Sequence, residues 1–216
     1  MLKIVMYISV LIGLSALALG RLVFFTAAAV GSEQNDGSGV LAIGDTVPDE
    51  TVSAIEGHSV QLRKIISEKP TVLVFYRGGW CPYCNTHLGK LQSIESQIIE
   101  AGHQIIAISP DRSSNLRKSI EKGNLTYSLY SDSTMTVAKA FGLAFTVDNA
   151  TVKKYKLFGI NIEKASGETH HMLPVPAVFL VDTNGVIQYA FSNPDYKVRL
   201  ETDEIIQLVE QSRGSK

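Results

Sequence analysis

The chain contains only two cysteines, and they stand two residues apart as Cys81-Pro82-Tyr83-Cys84. At that spacing two sulfurs can meet within one helical turn, so a disulfide can form and break without moving the fold. Exchange chemistry needs one sulfur exposed and partly ionised, with a second waiting behind it. The run from Thr71 to Tyr76 just upstream is β-branched or aromatic with no breaker, which suits a strand buried on both faces. Gly78 and Gly79 punctuate it, and Pro82 fits a first helical turn, where its missing N–H would be unpaired anyway. The pair is therefore expected at a strand-to-helix junction. Free backbone N–H groups and the helix dipole favour a thiolate there, and Arg77 adds positive charge. On this reading Cys81 is the exposed nucleophile and Cys84, one turn in, resolves the mixed disulfide. Trp80 and Tyr83 either wall the site or simply pack.

Two bland readings compete. The pair could be an inert staple, but a loop closed across two residues restrains little. It could be half of a zinc site, for which only His87, His170 and His171 could complete the four ligands. Redox chemistry fits the strand–loop–helix context better, with no metal and no cofactor beyond the cysteine pair. His170 and His171 precede Pro176 closely enough to approach the dithiol as proton shuttles, or they belong to a loop. Arg199 either lends the site a charge or belongs to the start of the last helix. Asp111 reads as the cap of the helix that follows it, and His58 and His103 read as turn and surface residues.

The 216 residues have room for one domain and a leader, or at most two small domains. With 45% hydrophobic and 19% charged residues and a net charge of -1, the chain can build a core and offers nothing to nucleic acid. Lys3 precedes an apolar run from Ile4 that continues past Arg21 to Val30, so residues 1–30 read as a signal peptide or a membrane anchor. The anchor reading implies membrane attachment through residues 4–30. Residues 31–39 read as a flexible linker and 40–216 as the folded domain. This places the protein outside the cytoplasm, exported and periplasmic or extracytoplasmic. Within the domain, strands are expected around 51–54, 71–76, 104–109, 127–130, 177–181 and 186–191. Helices are expected over 62–68, from the cysteines to Gly102, over 115–122, 134–141 and 200–211, with another around 150–157 in the otherwise opaque stretch 143–173. Leu88, Leu91, Ile94, Ile98 and Ile99 mark the buried face of the cysteine helix. The fold class is α/β, a central mixed β-sheet flanked by helices; with a dithiol at the end of a central strand, that is a thioredoxin-like architecture.

Cys81 to Cys84 alone resembles a glutaredoxin site, but the wider context resembles peroxiredoxins. Gly44, Asp45, Pro48 and Asp49 near the domain start, Phe75-Tyr76 before the cysteine loop, Ser109-Pro110-Asp111, and Phe179 to Asp182 followed by Asn184-Gly185 are similar to the redoxin branch of the alkyl hydroperoxide reductase/thiol-specific antioxidant (AhpC/TSA) family. The similarity spans about residues 40 to 212. It implies thiol-dependent antioxidant chemistry with a peroxide as substrate. The dithiol itself suits a protein disulfide as substrate, and the exported location implies a thioredoxin-like electron donor, since glutathione and cytosolic reductases are absent there. Its register puts Cys84 at the family's peroxide-reducing cysteine, Arg77 at its proline and Cys81 at its threonine. Pro176 falls where the family keeps an arginine, and resembles instead the cis-proline facing the dithiol in thioredoxins. Spacing thus makes Cys81 the nucleophile, and the family register makes Cys84 the sulfur attacked by peroxide. With threonine and arginine replaced, disulfide exchange is expected to outrun peroxide reduction.

Overall fold

A computed structural model of the chain describes residues 39–213. The signal-peptide or anchor reading, and all but the last residue of the expected linker, lie outside the described residues. The domain opens with a short hairpin, β1 (Thr51–Ser53) and β2 (Ser59–Gln61), then α1 (Leu62–Ile66) and β3 (Thr71–Phe75). The long helix α2 (Pro82–Glu100) follows, then β4 (Gln104–Ser109), α3 (Ser113–Gly123), β5 (Ser128–Ser131) and α4 (Thr136–Ala140). Next come β6 (Ala144–Thr146), α5 (Asn149–Leu157), α6 (Ile162–Ser166) and β7 (Met172–Pro174). β8 (Ala177–Val181), β9 (Ile187–Ser192) and α7 (Thr202–Arg213) close the domain.

Seven strands form one sheet in the order β2-β1-β5-β4-β3-β8-β9, with β3–β4 and β4–β5 parallel and the other pairs antiparallel. Both faces are covered, which is why β3 is an unbroken apolar run. Val72, Val74 and Tyr76 face α2, α3 and α7, packing on Leu88, Leu91, Leu116 and Ile205. Leu73 and Phe75 face α1 and α4, where Phe75, Phe141 and Phe179 form a ring cluster with centroids 4.8 to 6.1 Å apart. Edge or tilted ring contacts of this kind add about 0.5–1.5 kcal/mol per pair beyond area burial. The period of 2 along β3 therefore anchors two cores at once, and the loop leaving its end inherits a rigid base.

α2 buries Cys84, His87, Leu88, Leu91, Ile94 and Ile98, residues three or four apart. Ile99, expected on that face, is 54% exposed, because one step beyond Ile98 turns the side chain by about 100°. The helix stops at Gly102, whose φ of +83° lets His103 N–H reach back to the Ile98 carbonyl at 3.0 Å. His103, expected at the surface, is buried, with Nδ1 3.0 Å from the Ala101 carbonyl and Nε2 3.0 Å from Ser212 Oγ on α7.

The stretch 143–173 differs most from expectation. Beyond the helix anticipated around 150–157, it contains α6 and a two-stranded antiparallel sheet of β6 and β7, in which Ala144 pairs with Pro174 and Thr146 with Met172. Val147, Val152, Ile162 and Leu173 give it a small core of its own, against which Trp80 and Tyr155 pack. Because Trp80 packs on the main core too, this segment is joined to the cysteine loop.

Candidate active site

β3 ends at Phe75, and the chain crosses Arg77, Gly78, Gly79 and Trp80 before α2 starts. Gly78 has a φ of +140°, and a Cβ there would sit 2.8 Å from Asp111 Oδ1 and closer still to the Trp80 indole nitrogen. Only glycine tolerates that backbone in that space. Asp111 does not cap α3, whose N-cap position is Arg112. Its carboxylate turns back to the cysteine loop, where Oδ2 accepts from Gly79 N–H at 2.7 Å. Its Oδ1 is buried without a hydrogen-bond partner, and burial raises its pKa to about 6.

Cys81 is the N-cap residue of α2, with extended backbone and no capping side-chain bond, and Pro82 follows in the first turn. Asn85 braces the loop, its Nδ2 donating to the Gly79 carbonyl at 2.9 Å. Both cysteines are free thiols and both are buried, at 2% and 1% exposure. Their ionisation is strongly polarised. The Cys84 thiol hydrogen-bonds to the Cys81 sulfur, which is the main reason the Cys81 pKa is lowered; Arg77 and Arg199 add to this against the cost of burial. The same bond, then burial, then the Cys81 charge push Cys84 far above the ordinary thiol range. The directions of the two shifts favour the negative charge on Cys81, at the start of α2, over Cys84 one turn in.

Two arginines frame the pair. Arg199 lies before α7 rather than in it, and its Nη2 donates to Cys84 Sγ at 3.6 Å while Nη1 donates to the carbonyls of Tyr196 and Val198. Arg77 is 4% exposed, and its guanidinium lies 4.3 Å from the centroid of Tyr196 and 5.2 Å from that of Trp80. Tyr83 is 45% exposed at the rim and packs edge-on against Tyr196 at 5.7 Å.

Pro176 is buried at the start of β8, where Ala177 pairs with Phe75, so the sheet register brings it to the end of β3 from which the cysteine loop departs. No peptide bond among the described residues is cis, which corrects the cis-proline expected there. His170 and His171 are occupied elsewhere. His170 Nε2 donates to the Ser133 carbonyl at 2.7 Å while Nδ1 accepts from Met172 N–H, and His171 Nε2 lies 2.7 Å from Glu163 Oε1. The charges acting on the sulfurs come from Arg77 and Arg199 instead. His87, one turn beyond Cys84, is 4% exposed with Nε2 unpartnered, and burial followed by Arg199 and Lys90 lowers its pKa to about 4. Among the described residues no three His, Cys, Asp or Glu side chains converge as metal ligands would. Sequence reasoning missed Tyr155 and Tyr196, because only the tertiary fold brings them to the loop.

The polarised pair predicts how Cys81 responds to pH. Its pKa is lowered, chiefly by the hydrogen bond with Cys84, so the thiolate persists below the ordinary thiol range and is lost as pH falls through the lowered pKa. Alkylation of reduced protein, located by mass spectrometry, should label Cys81 with a midpoint below the ordinary thiol range and leave Cys84 unlabelled at neutral pH. Preferential labelling of Cys84 would reverse the assignment.

A dithiol at the start of a helix behind a central strand, in a mixed sheet covered on both faces, defines a thioredoxin-like thiol redox protein. Comparison with known proteins narrows this. Residues 43–190 match the AhpC/TSA family, and the chain belongs to it. It is 26% identical to the chloroplastic peroxiredoxin Q of Sedum lineare, over 77% of each chain. It is 28% identical to a Coxiella burnetii chain described as a bcp peroxiredoxin, over 77% of this chain and 97% of that one. The fold matches the crystal structure of reduced Prx3 in complex with H2O2 from Vibrio vulnificus with a TM-score of 0.65 and 19% identity, covering 80% of this chain and 98% of that one. The chain is thus a thiol-based oxidoreductase, and its family works by cysteine chemistry without a cofactor. Family membership implies a thioredoxin-type reductant and peroxide substrates.

The relatives correct the location expected from the sequence. They are named as chloroplastic and bacterial bcp peroxiredoxins, and neither is named as exported, periplasmic or extracytoplasmic. Membrane attachment through residues 4–30 gains no support either, and among the described residues no helix is long and apolar enough to cross a membrane.

Proposed function

We propose that the chain reduces peroxides, with Cys81 as the attacking thiolate and Cys84 as the resolving thiol. The place of Cys81 carries this reading: it is the N-cap residue of α2, where free backbone N–H groups favour a thiolate, and the direction of the shifts in the pair, down for Cys81 and up for Cys84, agrees. The Cys81 thiolate attacks one peroxide oxygen, the O–O bond breaks, and the other oxygen leaves as hydroxide or alkoxide and takes up a proton. Cys81 becomes a sulfenic acid. The Cys84 sulfur then attacks it, the S–S bond forms, and the hydroxyl leaves as water with the Cys84 proton. A dithiol of thioredoxin type supplies two electrons to reopen the bond and is itself oxidised to a disulfide. Arg77 and Arg199 are the cations on hand for charge growing on the leaving oxygen.

The register of the family resemblance points to Cys84 as the attacked sulfur; the position of Cys81 at the helix start and the raised pKa of the buried Cys84 argue for Cys81 instead. Burial supports peroxide as the oxidant. With Cys81 only 2% exposed, a molecule of two oxygens reaches it more readily than a protein disulfide does. Protein-disulfide exchange remains the second reading, supported by the dithiol at a helix start and by proline rather than arginine at 176. A paired assay on reduced protein with one thioredoxin-type donor decides between them. Peroxide should be consumed faster than insulin disulfides are reduced, the reverse of the order expected from the sequence. Rapid insulin reduction with negligible peroxide turnover would install the second reading.

A further inference from the structure

Arg77 is a buried cation without a carboxylate. It takes part in none of the ion pairs formed among the described residues, which join Lys90 to Glu201, Lys156 to Glu163 and His171 to Glu163. Its Nε has no hydrogen-bond partner. What surrounds it is aromatic: the rings of Tyr196, Trp80 and Tyr155 at 4.3, 5.2 and 5.7 Å, with Nη2 donating to the Tyr155 hydroxyl at 2.5 Å. Ring faces attract a desolvated guanidinium and also fix where it sits, but they do not neutralise it. The cage therefore holds the cation unneutralised on the same loop as Cys81, four residues before it, and the charge of Arg77 is among the influences that lower the Cys81 pKa.

Tyr155 reaches this place through local structure. Asp148 fixes the start of α5 by accepting from the Ala150 and Thr151 N–H groups at 2.9 Å. Val152 anchors the next turn in the small core of the 143–173 segment, and Tyr155, three residues on, packs beside it against Trp80 with ring centroids 5.9 Å apart.

We propose that Tyr155 is a positioning residue for the thiol chemistry. Its hydroxyl and ring, with Trp80 and Tyr196, hold Arg77 in place on the cysteine loop, so that the 143–173 segment contributes to the ionisation of a cysteine it does not carry. This rests on Cys81 as the attacking sulfur. The groups facing that sulfur are Cys84, Arg77 and Arg199, and among them only Arg77 is bonded to the 143–173 segment.

The test is the pH dependence of Cys81 alkylation, located by mass spectrometry, in reduced wild type, Tyr155→Phe, Tyr155→Leu and the exposed control Lys153→Ala, with circular dichroism to confirm folding. Tyr155→Phe should raise the midpoint enough to slow labelling below it by roughly threefold, and Tyr155→Leu by roughly tenfold, since each pKa unit is a tenfold change in thiolate. Lys153→Ala should match wild type. A midpoint unchanged or lowered in a folded Tyr155→Phe overturns the proposal. Should Tyr155→Phe fail to fold, Tyr196→Leu, which removes the cage's exposed ring, decides by the same criterion. Labelling needs no peroxide, so an unchanged midpoint would leave the peroxidase reading standing, and absent peroxide turnover would leave the cage standing.

Discussion

Replacing Cys81 with serine should abolish peroxide consumption and disulfide reduction together, by roughly a thousandfold or more, because the attacking atom itself is gone. Cys84→Ser should behave differently. Its Cys81 still meets peroxide, but the sulfenic acid finds no thiol one turn away, so oxidation proceeds once and turnover with a dithiol donor stalls. The first step should also weaken, since the thiol bond from Cys84 is the largest influence holding Cys81 ionised. A serine hydroxyl can donate in its place, so the loss in that step should stay small. Stopped-flow oxidation and steady-state turnover of both variants separate the two roles. Full turnover in Cys84→Ser would remove it as the resolving thiol.

Arg77→Met should cut the rate of peroxide reduction at pH 7 by about a hundredfold, the scale of losing one positioned charge at a reacting centre. Two effects combine: the Cys81 pKa rises as one of the charges lowering it is lost, and, in the proposed mechanism, a cation available to the charge growing on the leaving oxygen disappears. Stability should move the other way or hold. Arg77 is 4% exposed, and an apolar chain of similar volume in place of a buried charge is often neutral or stabilising by about 1–4 kcal/mol. Denaturant unfolding beside the rate measurement checks the sign. A variant that unfolds easily yet keeps its rate would make Arg77 a structural residue only.

The elements that carry the cysteines were legible because each obeys a strong local rule. β3 is an unbroken apolar run buried on both faces, and α2 repeats its apolar residues at helical spacing behind a proline in its first turn. The small sheet of β6 and β7 follows no such rule. Its strands are three residues each, and two helices separate them in sequence, so nothing local announces that Ala144 meets Pro174. Asp111 was misread for a related reason: a short acidic residue before a helix looks like a cap, but the turn aims its carboxylate back at Gly79. His170 and His171 stand near Pro176 in sequence, yet their ring nitrogens are spent on Ser133, Met172 and Glu163. Arg199 went the other way, reaching Cys84 from far along the chain. The cage around Arg77 was invisible for the same reason, since Tyr155 and Tyr196 come from separate later segments.

Trapping the sulfenic acid tests the central claim, that Cys81 is the sulfur that attacks peroxide. Reduced Cys84→Ser and Cys81→Ser are each given a single equivalent of hydrogen peroxide with a sulfenate-specific nucleophile, and the adduct is located and timed by mass spectrometry across pH. The account predicts an adduct on Cys81 in Cys84→Ser, forming at a rate comparable to wild-type oxidation, and almost none on Cys84 in Cys81→Ser at neutral pH. An adduct forming on Cys84 in Cys81→Ser at the wild-type rate would contradict it.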